Sequence, residues 1–497
     1  KLNKSWDDFS LNAAIGTSIT DTRTSALRLD SKTASLYYPN VFTIANINMS
    51  SSAYIEESDD ARRQMQSFFA MAQLGYKESL YLDVTARNDW SSTLAFTERK
   101  SRGFFYPSVG LSWIIPKSFS MPSLISFGKV RASWSKVGND IPLFVSNTVG
   151  HIAAGGIPQP NDTAPFGTLK PEMSSSFEIG TEWKFFDYRM DVDLTFYKTN
   201  TKNQLFSLPS SAGAAYKYYF VNAGNIQNMG VELTFGAVPI LTNQFKWNTT
   251  LNFSRNKNEV KKLHDDLASF IQGDEGFSSS YTMRLVEGGS FGDIYGKAFE
   301  RDKYGAIVYG RDGLPQEIGS GNTAKVGNCN PAFLLGWGNS FTYKDFSFYF
   351  LIDGHFGGDV LAQTQAVLDQ TGVSKVSGEA RTMGYVDLEG HHIYNIKGFY
   401  EQVGGRNGVT EYYMYDATNI RLRELSLGYT LPKRLLGRKQ FLKKAELSFV
   451  ARNLFFIYKK APFDPDAVLS ASNSNQGIDI FGIPTTRSVG FNVKLSF

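Results

Sequence analysis

The sequence predicts an all-β protein, a transmembrane antiparallel β-barrel, and three observations lead to this prediction. The last ten residues, 488–497, alternate strictly between apolar and polar side chains and end on Phe497. The same alternation recurs along the chain in segments of about ten residues or more, long enough to cross a bilayer obliquely. Aromatic residues make up 14% of the chain, and the aromatic girdles of membrane barrels would explain this abundance.

A soluble β-sandwich explains the last strand alone equally well, because a sandwich strand also has one buried and one wet face. Sandwich strands, however, are usually nearer five or six residues long. The length and the recurrence of the alternating segments therefore favour the barrel.

Each membrane strand should present an apolar face to lipid and a polar face to the lumen, because successive side chains of a strand face opposite sides. Residues 80–87, 177–185, 190–197, 245–254 and 346–355 show this most clearly, and their charged residues recur on the polar face. We predict about fourteen membrane strands, near residues 8–20, 62–76, 79–90, 104–115, 125–137, 174–186, 189–200, 228–238, 245–257, 332–343, 346–357, 417–431, 444–455 and 485–497.

The connections between these strands alternate between short turns and long loops, as in outer-membrane barrels. We expect the short turns to be periplasmic and the long loops to be extracellular. The predicted long loops lie near residues 21–61, 91–103, 138–173, 201–227, 258–331, 358–416 and 456–484. The segment 290–309 indicates a hairpin inside one of these loops, and Val360 to Leu368 has the spacing of a short surface helix.

Composition argues against two other classes of protein. Lys and Arg number 51 and Asp and Glu number 47, so the formal net charge of +4 provides no basic stripe for nucleic acid. No run of about eighteen apolar residues occurs, so no transmembrane helix is predicted. The single cysteine, Cys329, cannot form an intrachain disulfide.

The sequence does not begin with methionine, and it shows neither a signal peptide nor a lipidation motif. Outer-membrane barrels are exported through a signal sequence. We therefore expect this chain to be the C-terminal part of a longer protein.

Several stretches carry a family resemblance in their order and spacing. They are 82–94 (LDVTARNDWSSTL), 106–113 (YPSVGLSW), 129–134 (KVRASW) followed by 137–140 (VGND), 169–172 (LKPE) before 177–180 (FEIG), 222–228 (NAGNIQN) with 230–232 (GVE), 419–429 (NIRLRELSLGY), 451–454 (ARNL) and 464–466 (DPD). Together with the closing strand they span nearly the whole chain, and they resemble the SusC/RagA family of TonB-dependent outer-membrane transporters. The resemblance implies a barrel of about twenty-two strands, of which about eight, with the plug domain and the TonB box, would lie outside residues 1–497.

The function implied by the resemblance is active import of an oligosaccharide or a peptide across the outer membrane of a Gram-negative, Bacteroidetes-like bacterium. A SusD-like surface lipoprotein would act as a lid, and TonB would supply energy through the N-terminal part. No cofactor and no enzymatic activity are implied. A passive porin-like or structural barrel is the alternative, and a barrel that houses an enzyme is a third interpretation.

Candidate substrate contacts lie at the predicted extracellular ends of the strands, where aromatic and polar groups can hold a sugar or a peptide. These candidates are Arg87, Asp89, Trp90, Asp353 and His355. An interfacial girdle explains Trp90 equally well. Acid–base chemistry by Asp353 and His355 is conceivable, but a polar pair that lines the lumen is the favoured interpretation.

No metal site or phosphate site is predicted. The adjacent His391 and His392 would face opposite sides of an extended segment and would make a poor chelate. The Asp464-Pro465-Asp466 segment lacks the ligand series of a calcium loop and is better explained as a rigid corner. The glycines of Val286 to Gly296 do not follow the strand-to-helix pattern of a phosphate loop.

Overall fold

The structure is a computed structural model, and it describes residues 1–30, 34–48, 54–98, 103–153, 157–159, 161–164, 168–210, 213–264, 267–272, 280–319, 321, 323–436, 442–468 and 475–497. Strands dominate these residues. In chain order they are β1 Leu2–Trp6, β2 Phe9–Asp30, β3 Tyr54–Tyr76, β4 Leu80–Ser91, β5 Gly103–Ile114, β6 Ile125–Asn139, β7 His151–Ala153, β8 Ile157–Gln159, β9 Thr163–Ala164, β10 Glu172–Phe185, β11 Met190–Pro209, β12 Tyr218–Leu241, β13 Phe245–Lys262, β14 Ser269–Gln272, β15 Tyr281–Val286, β16 Asp293–Gly296, β17 Ala324–Asn328, β18 Phe333–Tyr343, β19 Phe346–Phe356, β20 Asp359–Ala362, β21 Val386–Leu388, β22 His391–Ile393, β23 Met414–Asp416, β24 Asn419–Thr430, β25 Lys444–Lys459, β26 Ile478–Asp479 and β27 Ser488–Ser496. The α-helices are α1 Gln363–Gln370, α2 Lys375–Met383 and α3 Ile396–Val403.

One large antiparallel sheet contains every predicted membrane strand. Its hydrogen-bonded order is β1-β2-β3-β4-β5-β6-β10-β11-β12-β13-β18-β19-β24-β25-β27, so neighbours in the sheet follow one another along the chain. Strand β9 joins it by a short parallel pairing with β12. The predicted all-β antiparallel class is therefore confirmed, with two strands, β1 and β9, that the sequence pattern did not predict.

The described chain forms two compact units. The first comprises Lys1–Phe119, Val130–Ile179 and Lys198–Ile226, and the second comprises Ser120–Lys129, Gly180–Tyr197 and Gln227–Phe497. Among the described residues, none of the helices has the length and apolarity needed to cross a bilayer.

Large apolar side chains are exposed along one face of the sheet strands. In β27, Val489, Phe491 and Val493 are 64%, 75% and 61% exposed. In the second unit, rings of adjacent strands contact one another on this face, as Trp247 and Phe341 do at 5.8 Å between ring centroids. So much contiguous apolar surface is costly in water and suits hydrocarbon.

The tight turns explain how successive strands reverse direction. Lys77 and Glu78, in the three-residue connection 77–79 between β3 and β4, both have φ of 50°, the left-handed conformation of tight hairpin turns, and the backbone N–H of Ser79 donates to the carbonyl of Tyr76 at 3.0 Å. Charged residues replace the usual Asn-Gly, and Glu78 accepts a 2.9 Å hydrogen bond from Lys117 Nζ.

Several predicted boundaries need correction. The expected loop 201–227 is mostly strand, because β11 continues to Pro209 and β12 begins at Tyr218. The expected loop 21–61 is shorter than predicted for the same reason, since β2 extends to Asp30 and β3 begins at Tyr54.

The predicted helix over Val360 to Leu368 is displaced. Residues 360–362 belong to strand β20, which pairs with β23 and β26, and the helix α1 begins at Gln363. The predicted hairpin of 290–309 is present only around Asp302–Gly305, where Arg301 pairs with Ile307. Its first arm is instead strand β16, which pairs with β15 and β17.

In the second unit, the long connections fold into a layer with its own hydrophobic core. Strands β14–β17, between β13 and β18, pack against the helices between β19 and β24. The core includes Met283, Leu361, Phe399, Tyr413 and Ile478, all at most 1% exposed. These connections are therefore folded structure and not simple loops.

Candidate functional site

In the first unit, Arg87 and Asp89 form an ion pair on the polar face of β4. Arg87 Nε lies 2.7 Å from Asp89 Oδ1, and Arg87 Nη2 donates to Ser67 Oγ at 2.9 Å. The Tyr106 hydroxyl donates a second hydrogen bond to Asp89. Asp89 is 4% exposed, and a buried carboxylate requires such partners. The sequence-predicted pair is thus a fixed polar cluster.

Trp90 lies on the opposite face of β4 from Arg87 and Asp89. It shares the apolar face with Leu82 and Val84, and it is 43% exposed. Its cross-strand neighbour is Gln66 of β3. This placement favours the girdle interpretation of Trp90 over contact with a ligand in the lumen.

In the second unit, Asp353 and His355 line one pocket of about 490 Å³, here called the inner pocket. The register places both residues on one face of β19, opposite Gly336 and Leu334 of β18. Residues from β12, β13 and β24 complete its wall. The polar and charged lining residues include Glu232, Thr234, Asn252, Ser254, Asp353, His355, Asn419, Arg423 and Asp466.

Two polar atoms of the inner pocket are buried without a described hydrogen-bond partner. They are Asp353 Oδ1 and His355 Nε2. The other carboxylate oxygen of Asp353 lies 2.7 Å from Arg423 Nε and accepts its hydrogen bond. Because an unsatisfied buried polar atom is costly, these two atoms mark positions that a bound group would satisfy.

Two arginines of β24, Arg421 and Arg423, were not among the site residues predicted from the sequence. Arg421 is 1% exposed; its Nη2 lies 2.7 Å from Asp464 Oδ1, and its guanidinium lies 4.1 Å from the ring centroid of Phe456. Arg423 Nη2 lies 3.4 Å from Asp466 Oδ2. The Asp464-Pro465-Asp466 segment therefore neutralises both arginines, which agrees with its interpretation as a rigid corner.

A β-bulge at Arg423 places Arg423 and Glu424 together on the polar side of β24, the side on which Arg421 also lies. In its pairings with β19 and β25, strand β24 skips from Leu422 to Glu424. The extra residue changes the alternation, since a bulge re-aims the side chains that flank it. The sequence signal was the consecutive pair Arg423-Glu424 within an otherwise alternating segment.

The electrostatics of Asp464 follow from its surroundings. Burial alone would raise the pKa of Asp464, but hydrogen bonds from Thr485 and from the backbone of Asp466, together with the charge of Arg421, outweigh burial. They hold the pKa of this carboxyl below its ordinary value. Asp464 therefore stays ionised over a wide pH range.

The described residues contain no group of three or more His, Cys, Asp or Glu side chains that could hold a metal ion. His391 contacts the ring of Tyr309 in a tilted arrangement at 3.9 Å between ring centroids, and His392 stacks on Tyr385 at 4.0 Å. Burial raises the pKa of the Cys329 thiol to about 11. The thiolate form that reacts is therefore disfavoured.

A family model described as "TonB dependent receptor-like, beta-barrel" matches residues 2–454. Among curated proteins, "TonB-dependent receptor P3" of Formosa agariphila is 26% identical, over 90% of this chain and 47% of that protein. "TonB-dependent receptor SusC" of Bacteroides thetaiotaomicron is 22% identical, over 90% of this chain and 46% of that protein. The chain thus spans about half the length of the curated relatives it matches.

Among solved structures, the RagAB peptide importer in its "open-open" state matches with a TM-score of 0.75 and 18% identity, over 100% of this chain and 53% of the matched chain. The outer membrane transporter YddB of Escherichia coli matches with a TM-score of 0.51 and 12% identity, over 99% of this chain and 52% of that chain. At these identities the likeness shows the fold.

Proposed function

Because this chain belongs to the TonB-dependent receptor β-barrel family, we propose that the whole protein is an active nutrient importer of the outer membrane. The observation that carries the proposal is the family match over residues 2–454, in a chain whose sheet strands expose an apolar face. The apolar face would contact lipid, and the polar face with the inner pocket would line the route of the cargo.

The proposal assigns the host and the partners by analogy with the relatives. The host is a Gram-negative bacterium of the Bacteroidetes type, as the matches from Formosa and Bacteroides support. A SusD-like lipoprotein would cover the extracellular mouth, and TonB would act on an N-terminal part outside these residues. The cargo is an oligosaccharide or a peptide, and the similarity to a peptide importer supports the second.

We propose a transporter and not an enzyme. Asp353, the candidate acid, is held by Arg423 through its Oδ2 atom, and this pairing suits a structural or binding carboxylate. The family description also names a receptor and no catalytic activity.

The test is a deletion of the gene for the whole protein, followed by growth on casein peptides or on starch oligosaccharides as the carbon source. We expect growth on one of the two to fail, and to recover with the gene on a plasmid. Uptake in the complemented strain should also stop when TonB is removed. Uptake that persists without TonB would contradict active import and would support the porin-like alternative.

A further inference from the structure

We propose that the inner pocket binds a cationic group of the cargo, and that the cargo is a peptide that carries a lysine, an arginine or a free amino terminus. This proposal rests on the proposed function, because it names the substrate class of the importer. It is carried by the charges, the unpartnered atoms and the shape of the pocket.

Charge is the first observation. Three carboxylates, those of Glu232, Asp353 and Asp466, line the pocket, and Arg423 is the only arginine or lysine among the lining residues. The lining carboxylates therefore outnumber the lining guanidinium group by two. A pocket with a surplus of one sign raises the local concentration of ligands of the opposite sign.

The arrangement of the pairs leaves acceptors available. Arg423 lies 2.5 Å from Asp353 and 3.4 Å from Asp466, and Arg421, which does not line the pocket, lies 3.3 Å from Asp466. The acceptors that remain available are therefore Glu232 and the second carboxylate oxygen of Asp353. Glu232 is exposed on β12, and no described lysine or arginine lies within ion-pair distance of it. Asp353 Oδ1 is buried and accepts no hydrogen bond from a described group. An ammonium or guanidinium group has several donors and would satisfy these acceptors.

The apolar part of the pocket suits the stem of a basic side chain. Leu334 is 43% exposed, on the same face as His355, its partner in the strand register. Methylene groups of lysine and arginine bury against such surface while the charged end reaches a carboxylate.

Aromatic platforms, which commonly hold sugars, are missing from the polar face of this pocket. Among its described lining residues, Phe253 is the aromatic one, and it alternates to the opposite face from Asn252 and Ser254. It contacts Phe333, which also lies on the apolar face, at 5.6 Å between ring centroids. A peptide therefore fits the lining better than a neutral oligosaccharide.

Space for the ligand comes from a glycine. Gly336 lies between Asn252 and Asp353 in the strand register, and it leaves a depression there. A Cβ atom added at Gly336 would meet only Asn252 Cβ, at an ordinary 3.9 Å. A larger side chain at this position would occupy the pocket without displacing the backbone.

The test uses the purified whole protein, including its N-terminal part, and two blocked heptapeptides that differ only in a central lysine or norleucine. We expect the parent protein to bind the lysine peptide at least about threefold tighter than the norleucine peptide. Glu232→Gln should weaken the binding of the lysine peptide about three- to tenfold. The norleucine peptide should bind Glu232→Gln as it binds the parent. Glu446→Gln, which removes a carboxylate paired with Lys444 outside the pocket, is the matched control and should change neither affinity.

Gly336→Leu supplies an independent measurement, because it fills the pocket without changing its charge. It should weaken the binding of both peptides. Folding of each variant is checked by heat-modifiable gel mobility, so that a loss of affinity is not a loss of assembly.

Three results would overturn the proposal. The parent protein could bind the two peptides with equal affinity, it could bind neither peptide, or Glu232→Gln could leave the affinity for the lysine peptide unchanged. The last result would mean that the carboxylates face the N-terminal part of the protein instead of cargo. Tighter binding of a glucosamine heptamer than of the lysine peptide, with the same dependence on Glu232, would overturn the peptide class. TonB-dependent uptake is measured separately, so active import can stand when this proposal falls.

Discussion

Asp464 is predicted to be among the most sensitive carboxylates of the second unit, because it neutralises a buried arginine. The side chains of Arg421 and Asp464 are only 2% and 9% exposed. Arg421 Nη1 also donates to Thr485 Oγ1 at 3.1 Å, and its Nη2 lies 3.3 Å from Asp466. The substitution Asp464→Asn keeps the shape of the side chain but removes its charge.

The expected cost follows from these contacts. Removing one partner of a buried ion pair generally costs about 3–5 kcal/mol, because the other charge is left uncompensated. Here Asp466 stays close, and the new amide still accepts a hydrogen bond from Arg421. We therefore expect Asp464→Asn to lower the free energy of unfolding by about 2–3 kcal/mol, somewhat below that range.

Guanidinium unfolding of the whole protein in detergent, followed by tryptophan fluorescence, would measure this loss. The control is Asp162→Asn, whose partner Lys217 lies 2.8 Å away in an ion pair that is 71% and 55% exposed. The control should cost less than about 1 kcal/mol. Equal losses for the two variants, or no loss for Asp464→Asn, would refute the reasoning that burial makes this pair important.

Three further predictions test the strand register, the pH dependence and the first polar cluster. Phe253→Arg should impair assembly by about 2–4 kcal/mol near the bilayer centre, whereas Asn252→Arg should assemble, and equal gel mobility of the two would refute the register. The pKa of Asp464 is lowered on folding. The stabilisation of the fold by the Asp464 carboxylate is therefore fully present above about pH 4 and is lost as the pH falls through the folded pKa. The free energy of unfolding, measured against pH, should show this loss in the parent and not in Asp464→Asn. Tyr106→Phe should cost about 1–3 kcal/mol in the same unfolding assay, since Asp89 loses a donor, and an unchanged midpoint would exclude that bond as a support.

The membrane strands could be predicted because their signal is local. A crossing strand between lipid and lumen must alternate, and alternation needs no knowledge of distant residues. Strand β19 was expected at 346–357 and is found at Phe346–Phe356, and β18 was expected at 332–343 and is found at Phe333–Tyr343.

Strand ends beyond the membrane could not be predicted in this way. Residues 201–209 belong to β11, but their side chains follow no apolar period, so alternation does not predict them. The positions of the helices could not be predicted for a different reason. In α2, Gly378 weakens the helical signal, and its ends depend on the Ser374 cap and on Gly384 with φ of 84°.

The ionic groups of the candidate site depend on contacts between residues far apart in the chain, which alternation does not encode. Arg423 meets Asp353, 70 residues away, and Asp466, 43 residues away. Asp353 itself was predicted because it lies on the polar face of a regular strand. Its partner was missed because the partner lies at an irregularity.

That irregularity relates the apolar face of β24 to its polar face, on which the inner pocket lies. On one side of the bulge, Ile420 and Leu422 occupy the apolar face, and on the other side Leu425 and Leu427 do, although the two sets differ in parity. Without the extra residue, either Arg421 or Leu427 would be on the wrong face, because a shift of one residue inverts every side chain beyond it. The bulge at Arg423 therefore allows one strand to keep an apolar surface along its whole length and still direct two arginines to the carboxylates of the polar face.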